Sequence, residues 1–152
     1  MLDVQPEASR LYGLLDGDRI TSVIEKYLIR GEIEKVSRFS KQLTSTLEEI
    51  KQKVIEQGGK VEYCAGDNIL FSGKFRVSWC EGLLKLFYAQ TGCTASIGIG
   101  DTSAEFYLAL KLAKSEGGGR IIDYRQPFTV IDKNIESEQR SDLTPIGTPA
   151  AD

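Results

Sequence analysis

Two short acidic turns constrain the fold of this chain most strongly, because each follows or divides strand-like apolar runs. The turn Ala65-Gly66-Asp67-Asn68 separates the runs Val61-Glu62-Tyr63-Cys64 and Ile69-Leu70-Phe71, and this pattern predicts a β-hairpin. The turn Asp16-Gly17-Asp18 ends another apolar run, Leu11-Tyr12-Gly13-Leu14-Leu15. If the first strand and the hairpin are neighbours in one sheet, both turns emerge at the same edge of that sheet.

Elsewhere in the chain, apolar residues recur at helical spacing, and glycine-rich breaks separate the segments. We expect, in chain order, a strand over 10–15, helices over 20–28 and 33–54, the hairpin, a helix over 74–90, a strand over 94–100, a helix from the capping box Thr102-Ser103-Ala104-Glu105 to about Ser115, and short strands over 120–124 and 128–131. A strand pair split by a helical crossover, with helices on one face of an antiparallel sheet, predicts a ferredoxin-like α+β fold.

The composition suits one globular domain with its own core. Of the 152 residues, 41% are hydrophobic and 27% are charged, which is typical of globular proteins. We expect a flexible leader over 1–9, one domain over 10–132 and a disordered tail over 133–152, where Ser, Thr, Pro and charged residues dominate. We also expect a cytoplasmic protein with no membrane partner, because no secretory or membrane-spanning run is evident.

The charge and the residue inventory exclude several classes of chemistry. A net charge of −3 provides no global positive field, so we expect no stable nucleic-acid partner. The chain has no histidine, which excludes Ser-His-Asp and Cys-His nucleophilic schemes and His-ligated zinc. Cys64, Cys80 and Cys93 lack C-x-x-C spacing, and we expect free thiols in a reducing compartment.

Asp16 and Asp67 are the first candidates for chemistry. Mg²⁺ prefers oxygen ligands and commonly takes one or two carboxylates together with substrate phosphates, so this pair and the backbone carbonyl of Gly17 could bind it. Two such ions would activate an attacking hydroxyl and neutralise a pyrophosphate leaving group. The alternative is purely structural, with Asp16 as a helix N-cap and Asp67 as a turn residue.

Backbone and lysine groups are candidates for binding phosphate. The segment Gly17-Asp18-Arg19-Ile20 leads into the first predicted helix, and N–H groups at a helix N-terminus favour anions. Asp18 would repel phosphate unless a metal intervened, so it is either a metal ligand or, as we favour, a helix cap. Lys111 and Lys114 lie three residues apart on the last predicted helix and could hold a triphosphate, or could simply face solvent.

Gly98 and Gly100 are unusual inside the strand-like run Ser96-Ile97-Gly98-Ile99-Gly100. Glycine within a strand marks close approach by a ligand or by another backbone. Tight packing beneath a helix explains the two glycines equally well, and the sequence leaves both alternatives open.

Four of these motifs, in this order, resemble the palm domains of nucleotide cyclases and polymerases. The segment Leu14-Leu15-Asp16-Gly17-Asp18 is similar to the first metal-binding strand end of GGDEF diguanylate cyclases and type III CRISPR polymerases, and Ala65-Gly66-Asp67-Asn68 stands where they carry GGDEF or GGDD. The strand over 96–100 and the helical segment Ala109-Leu110-Lys111-Leu112-Ala113-Lys114 resemble their later strand and lysine-bearing helix. With its short length, the chain most resembles the stand-alone minimal CRISPR polymerases, which are ferredoxin-like palm proteins.

The resemblance implies a role for each matching residue. It makes Asp16 and Asp67 the catalytic residues and makes both, with the Gly17 carbonyl, the ligands of Mg²⁺ or Mn²⁺. It implies nucleotide contacts at Gly17, Asp18, Arg19, Ile20, Gly66, Asn68, Lys111 and Lys114. The sequence departs from the family pattern at Ala65, which replaces a glycine, and at Asn68, which replaces an acid.

The resemblance also implies an activity. It implies a metal-dependent nucleotidyltransferase that joins NTPs, with ATP favoured, into a cyclic di- or oligonucleotide second messenger in antiphage defence, releasing pyrophosphate. Val23-Ile24-Glu25-Lys26 replaces the guanine-reading Asn-Asp pair of diguanylate cyclases, which disfavours GTP. Because closing a ring from two nucleotides suggests two facing palms, we expect a homodimer. Alternatives are a palm that binds nucleotide without catalysis, a diguanylate cyclase-type enzyme using GTP, and a ferredoxin-like interaction module.

Overall fold

The computed structural model describes residues 10–131, which build a six-stranded sheet covered by helices. In chain order the elements are β1 (Leu11–Gly17), α1 (Ile20–Ile29), α2 (Ile33–Glu56), β2 (Lys60–Ala65), β3 (Asn68–Gly73), α3 (Val77–Thr91), β4 (Ala95–Gly100), α4 (Ser103–Ser115), β5 (Ile121–Asp123) and β6 (Gln126–Ile131). The leader and tail expected over 1–9 and 133–152 lie outside the described residues, so these domain limits stay predictions. No helix within residues 10–131 has the length and apolar character needed to cross a membrane.

The strand order across the sheet is β2-β3-β1-β4-β5-β6. β1 pairs antiparallel with both β3 and β4, and two helices connect β1 to β2, so the first four strands have the split crossover of a ferredoxin-like fold. This confirms the α+β fold class. The sheet is mixed rather than wholly antiparallel as expected, because α4 crosses over between β4 and β5 and sets these two strands parallel.

Alternation along β1 separates the two faces of the sheet. Leu11 and Leu15 point into the main core, which α2 and α3 cover. On the opposite face, the ring centroid of Tyr12 lies 5.8 Å from that of Phe106 on α4. The helices therefore occupy both faces, not the single face that the sequence predicted. Asp16 shares the face of Tyr12, because it lies four residues further along the same strand.

Gly98 and Gly100 lie directly beneath α4, and this close packing explains both glycines. A Cβ atom at Gly98 would lie 2.2 Å from the carbonyl oxygen of Phe106 and 2.4 Å from the backbone nitrogen of Leu110. A Cβ atom at Gly100 would lie 2.5 Å from the Cβ of Glu105. Of the two alternatives that the sequence left open, close approach by a helix backbone is the one observed.

The first and last helices begin in different ways. α4 opens with the predicted capping box, in which the Thr102 hydroxyl accepts from the Glu105 N–H and the Glu105 carboxylate accepts from the Thr102 N–H. α1 follows Arg19, whose φ of 57° is left-handed, and no side chain caps this helix. The expectation that Asp16 or Asp18 caps α1 is therefore wrong. Asp16 lies within β1, and the carboxylate of Asp18 is bonded elsewhere.

We expect Gly98→Ala to destabilise the fold by about 3 kcal/mol, because a clash with helix backbone cannot be relieved by rotating a side chain. Urea unfolding followed by circular dichroism measures the change. Gly82→Ala in α3 is the matched control, since a Cβ there meets nothing within 4 Å and alanine favours a helix. An unchanged urea midpoint for Gly98→Ala would contradict the packing of α4 on β4.

Candidate active site

The two acidic turns meet at one end of the sheet. Asp16 on β1 is paired with Asn68 on β3, and Asp67 directly precedes Asn68 in the hairpin turn. The backbone N–H of Gly17 donates to the carbonyl oxygen of Asp67 over 3.1 Å, which joins the two turns. The first strand and the hairpin are therefore neighbours, and their neighbourhood brings Asp16 and Asp67 together.

Asp67 is partly buried beside a second negative charge. Burial raises the pKa of Asp67 above its usual value, and the Asp16 carboxylate raises it further, while the Lys114 ammonium acts in the opposite direction. Asn68 donates from Nδ2 to Oδ1 of Asp67 over 3.3 Å. Two carboxylates that repel each other in a partly buried site suit a divalent cation, because such a cation would relieve the repulsion.

Lys114, near the C-terminal end of α4, supplies positive charge to this site. Its Nζ contacts four oxygens: Asp18 Oδ1 at 2.6 Å, the Gly17 carbonyl at 2.8 Å, Asp16 Oδ2 at 3.0 Å and the Asp16 carbonyl at 3.1 Å. An ammonium has three N–H donors, so at least one of them is shared between acceptors. These contacts hold the end of α4 against the end of β1.

Asp18 is a buried anchor rather than a helix cap. Its side chain is 6% exposed, and its oxygens accept from the Thr94 hydroxyl at 2.7 Å, the Ser96 hydroxyl at 2.9 Å and the Gly119 N–H at 2.7 Å, besides the Lys114 contact. Every partner is a donor, so protein groups occupy both carboxylate oxygens. This geometry favours anchoring over the metal-ligand role that the sequence left open for Asp18.

The glycine run after α4 wraps the Asp18 carboxylate. Gly118 has a φ of 75°, and a Cβ atom there would lie 2.7 Å from Cγ of Asp18. Arg120 braces this loop, since its Nε donates to the Gly118 carbonyl over 3.0 Å and its Nη1 lies 3.3 Å from the Glu116 carboxylate. The sequence indicated only that these glycines end a helix.

Sequence reasoning missed Thr94, Ser96 and Gly119, the partners of Asp18. A signal was present, because Thr94 and Ser96 are two residues apart, with Thr94 directly before the otherwise apolar and glycine-rich strand β4 and Ser96 in it. Two hydroxyls on one face of a buried strand require a polar partner, and a buried carboxylate is such a partner.

Several of the residues that we expected to contact nucleotide lie away from this cluster, or can contribute only backbone groups to it. Ile20 is buried in the main core, so its side chain is not available to a ligand. Arg19 is exposed, and Gly66 lies in the hairpin turn with a φ of 60°. Lys111 is exposed with its Nζ 5.5 Å from the centroid of the Tyr107 ring, and none of its described contacts reaches the aspartates.

The oxygen groups at the end of the sheet fit a hard divalent cation. Asp16 and Asp67 offer carboxylates and Gly17 offers a carbonyl, which are donor types that Mg²⁺ takes together with substrate phosphates. The Lys114 ammonium contacts the Asp16 carboxylate and the Gly17 carbonyl, so these oxygens already attract a cation. Within residues 10–131 no three His, Cys, Asp or Glu side chains cluster as a complete metal site, so substrate or water oxygens would have to complete the shell.

The backbone is similar to solved chains of the Csm1-Csm4 cassette. For the cassette in complex with one ATP, the TM-score is 0.60 at 19% identity, covering 90% of this chain and 24% of that chain. For the complex with pppApA the TM-score is 0.58 at 20% identity, covering 90% and 24%. For the complex with cA3 it is 0.57 at 18% identity, covering 90% and 25%. These likenesses establish a palm-like fold, and this chain spans about a quarter of the length of those chains.

Comparison by sequence is more specific about the family. No curated protein matches this chain. The family model of the minimal CRISPR polymerase domain matches residues 12–124, a range that includes both acidic turns, the glycine-bearing strand and Lys114. This match covers most of the chain and confirms the resemblance that the four motifs indicated. The chain belongs to the minimal CRISPR polymerase (mCpol) family.

Proposed function

We propose that this chain is a metal-dependent nucleotidyltransferase that joins NTPs, ATP in preference, into a cyclic di- or oligonucleotide second messenger and releases pyrophosphate. The observation that carries the proposal is the convergence of Asp16, Asp67 and the Gly17 carbonyl beside the Lys114 ammonium. Membership of a family of polymerase domains supports it. The preference for adenine is supported by the similar structures solved with ATP, pppApA and cA3.

In the proposed reaction, the 2′- or 3′-hydroxyl oxygen of one nucleotide attacks the α-phosphorus of another. A new P–O bond forms while the bond from that phosphorus to the oxygen bridging it to the β-phosphate breaks, and pyrophosphate leaves. The hydroxyl proton passes to a carboxylate or to water, since the chain has no histidine to serve as a base. A further transfer of the same kind, within the linked product, closes the ring.

The chain's own groups have distinct parts in this reaction. The carboxylates of Asp16 and Asp67 and the carbonyl of Gly17 would hold Mg²⁺ or Mn²⁺. When bound, such a cation would activate the attacking hydroxyl and neutralise charge on the departing pyrophosphate. Lys114 lies beside these groups and would bind phosphate oxygens of the substrate, while the backbone N–H groups at the start of α1, which no side chain caps, would bind others.

Ring closure between two nucleotides places a requirement on assembly. The hydroxyl of each nucleotide must reach the α-phosphate of the other, so the reaction needs two nucleotides in opposed orientations. The single chain presents one cluster of catalytic groups at one end of its sheet. The proposal therefore includes a homodimer in which two such ends face each other across the two nucleotides.

Asn68 favours a second candidate function, which is nucleotide binding without catalysis. It stands opposite Asp16, where the GGDEF and GGDD motifs have an acid, and its amide donates to Asp67 instead of adding negative charge. Lower negative charge weakens the attraction for a divalent cation. This candidate predicts stable NTP binding with no pyrophosphate release in either Mg²⁺ or Mn²⁺.

We expect Asp67→Ala to reduce pyrophosphate release from ATP by more than about 100-fold, because it removes one of the two carboxylates that would hold the cation. A coupled phosphate assay in Mn²⁺ measures the rate, and circular dichroism checks the fold. Asp101→Ala is the matched control, since Asp101 is exposed and follows β4 at the opposite end of the sheet. Normal turnover by folded Asp67→Ala would contradict the proposal.

We expect Asp67→Asn to be at least as stable as the wild-type protein at pH 7 in the absence of divalent metal. The pKa of Asp67 is raised in the folded state, so the stability gained by protonation is present at low pH and lost as pH rises through the raised pKa. As the pH rises from 4 to 8, the melting temperature of the variant should therefore increasingly exceed that of the wild-type protein, by up to about 5 °C. A melting temperature of the wild-type protein that increases relative to that of the variant as pH rises would contradict this electrostatic account.

A further inference from the structure

Lys114 holds a position that the proposed metal also requires. Its Nζ lies 3.0 Å from Asp16 Oδ2 and 2.8 Å from the Gly17 carbonyl, and these belong to two of the three groups assigned to the metal. An ammonium and a divalent cation repel each other, and both need lone pairs on the same oxygens. The two cations therefore compete for this place.

We propose that Lys114 is a built-in cation, which occupies the oxygen site of Asp16 and Gly17 until a divalent metal displaces it. This inference rests on the proposed function, because it uses the same metal ligands. It adds a consequence that a simple phosphate-binding lysine would not have. The lysine lowers the affinity of the empty site for metal, and arrival of the metal releases the ammonium toward the phosphates of the substrate.

Asp18 keeps the lysine at the site during this exchange. Its Oδ1 lies 2.6 Å from Nζ, and its carboxylate is held by Thr94, Ser96 and Gly119, none of which belongs to the proposed metal site. The ammonium can therefore give up Asp16 and Gly17 and still retain one charged partner. The Lys114 side chain is 28% exposed, so the N–H groups withdrawn from Asp16 and Gly17 can turn to solvent, where a triphosphate would lie.

The other lysine of α4 provides an internal comparison. Lys111 lies one helical turn earlier, is exposed, and places its ammonium over the Tyr107 ring. It has the same charge and the same side chain but touches none of the metal-ligand oxygens in its described contacts. Any effect that Lys114 exerts through direct occupation of these oxygens should be absent at Lys111.

We expect Asp18→Asn to lower the melting temperature by about 10 °C, because all four partners are donors and an amide would present N–H groups to some of them. Scanning fluorimetry measures the shift. Asp101→Asn, at an exposed position, is the control for the change of charge. A shift of less than about 2 °C for Asp18→Asn would contradict the anchoring role.

Mn²⁺ binding to the metal-free protein, without nucleotide, tests the competition. Electron paramagnetic resonance of free Mn²⁺ gives the Kd. We expect Lys114→Met to bind Mn²⁺ about tenfold tighter than wild type, because no ammonium has to be displaced. Lys111→Met removes the same charge from the exposed side of the same helix and should change the Kd by less than about twofold.

Lys114→Gln retains N–H donors without the charge, and it covers the case in which the methionine variant does not fold. We expect its Kd to fall between those of wild type and Lys114→Met. The proposal is overturned if folded Lys114 variants bind Mn²⁺ no tighter than wild type, if Lys111→Met tightens binding equally, or if none of the proteins binds Mn²⁺. The titration contains no nucleotide, so it tests the competition between Lys114 and the metal separately from catalysis. If the titration shows this competition but the wild-type protein forms no product from NTPs, only the proposed catalysis is overturned.

Discussion

The buried carboxylate of Asp18 is the interaction on which the site depends, because it joins segments far apart in the chain. It accepts from Thr94 just before β4 and from Ser96 in β4, from Gly119 in the glycine loop, and from Lys114 on α4. A buried charge is costly unless donors match its lone pairs, so these segments are held in one arrangement. The end of β1, which carries the first catalytic candidate, is thereby placed beside α4.

The groups around this anchor place two negative charges close together in a partly buried site. Asp16 and Asp67 share one partly buried site, and burial together with the Asp16 charge raises the pKa of Asp67. Lys114 offsets part of the repulsion by contacting the Asp16 carboxylate. Such conflict between local charges is typical of functional sites, where removal of a carboxylate can leave the fold intact or more stable. A divalent cation bound here would relieve this repulsion.

The sequence predicted the features that depend on local pattern, and it missed those that depend on distant partners. The hairpin that carries Asp67 and the capping box of α4 follow from short motifs, and the structure shows both. The role of Asp18 does not, because its partners Thr94, Ser96 and Gly119 lie 76, 78 and 101 positions away, and a helix cap has the same local sequence as a buried anchor. The position of α4 on the second face of the sheet was missed for a related reason. Gly98 indicates that some group approaches the strand closely, but the sequence does not show which element that group belongs to.

Mass spectrometry of the products formed from each NTP in Mg²⁺ or Mn²⁺ tests most directly whether this chain joins nucleotides. We predict a cyclic adenylate from ATP, whose mass equals the sum of its AMP units less one water for each linkage, with one pyrophosphate released per nucleotide joined. GTP, CTP and UTP should be consumed more slowly. Unchanged ATP in both metals, from folded protein that binds ATP, would contradict catalysis and leave nucleotide binding as the function of this palm.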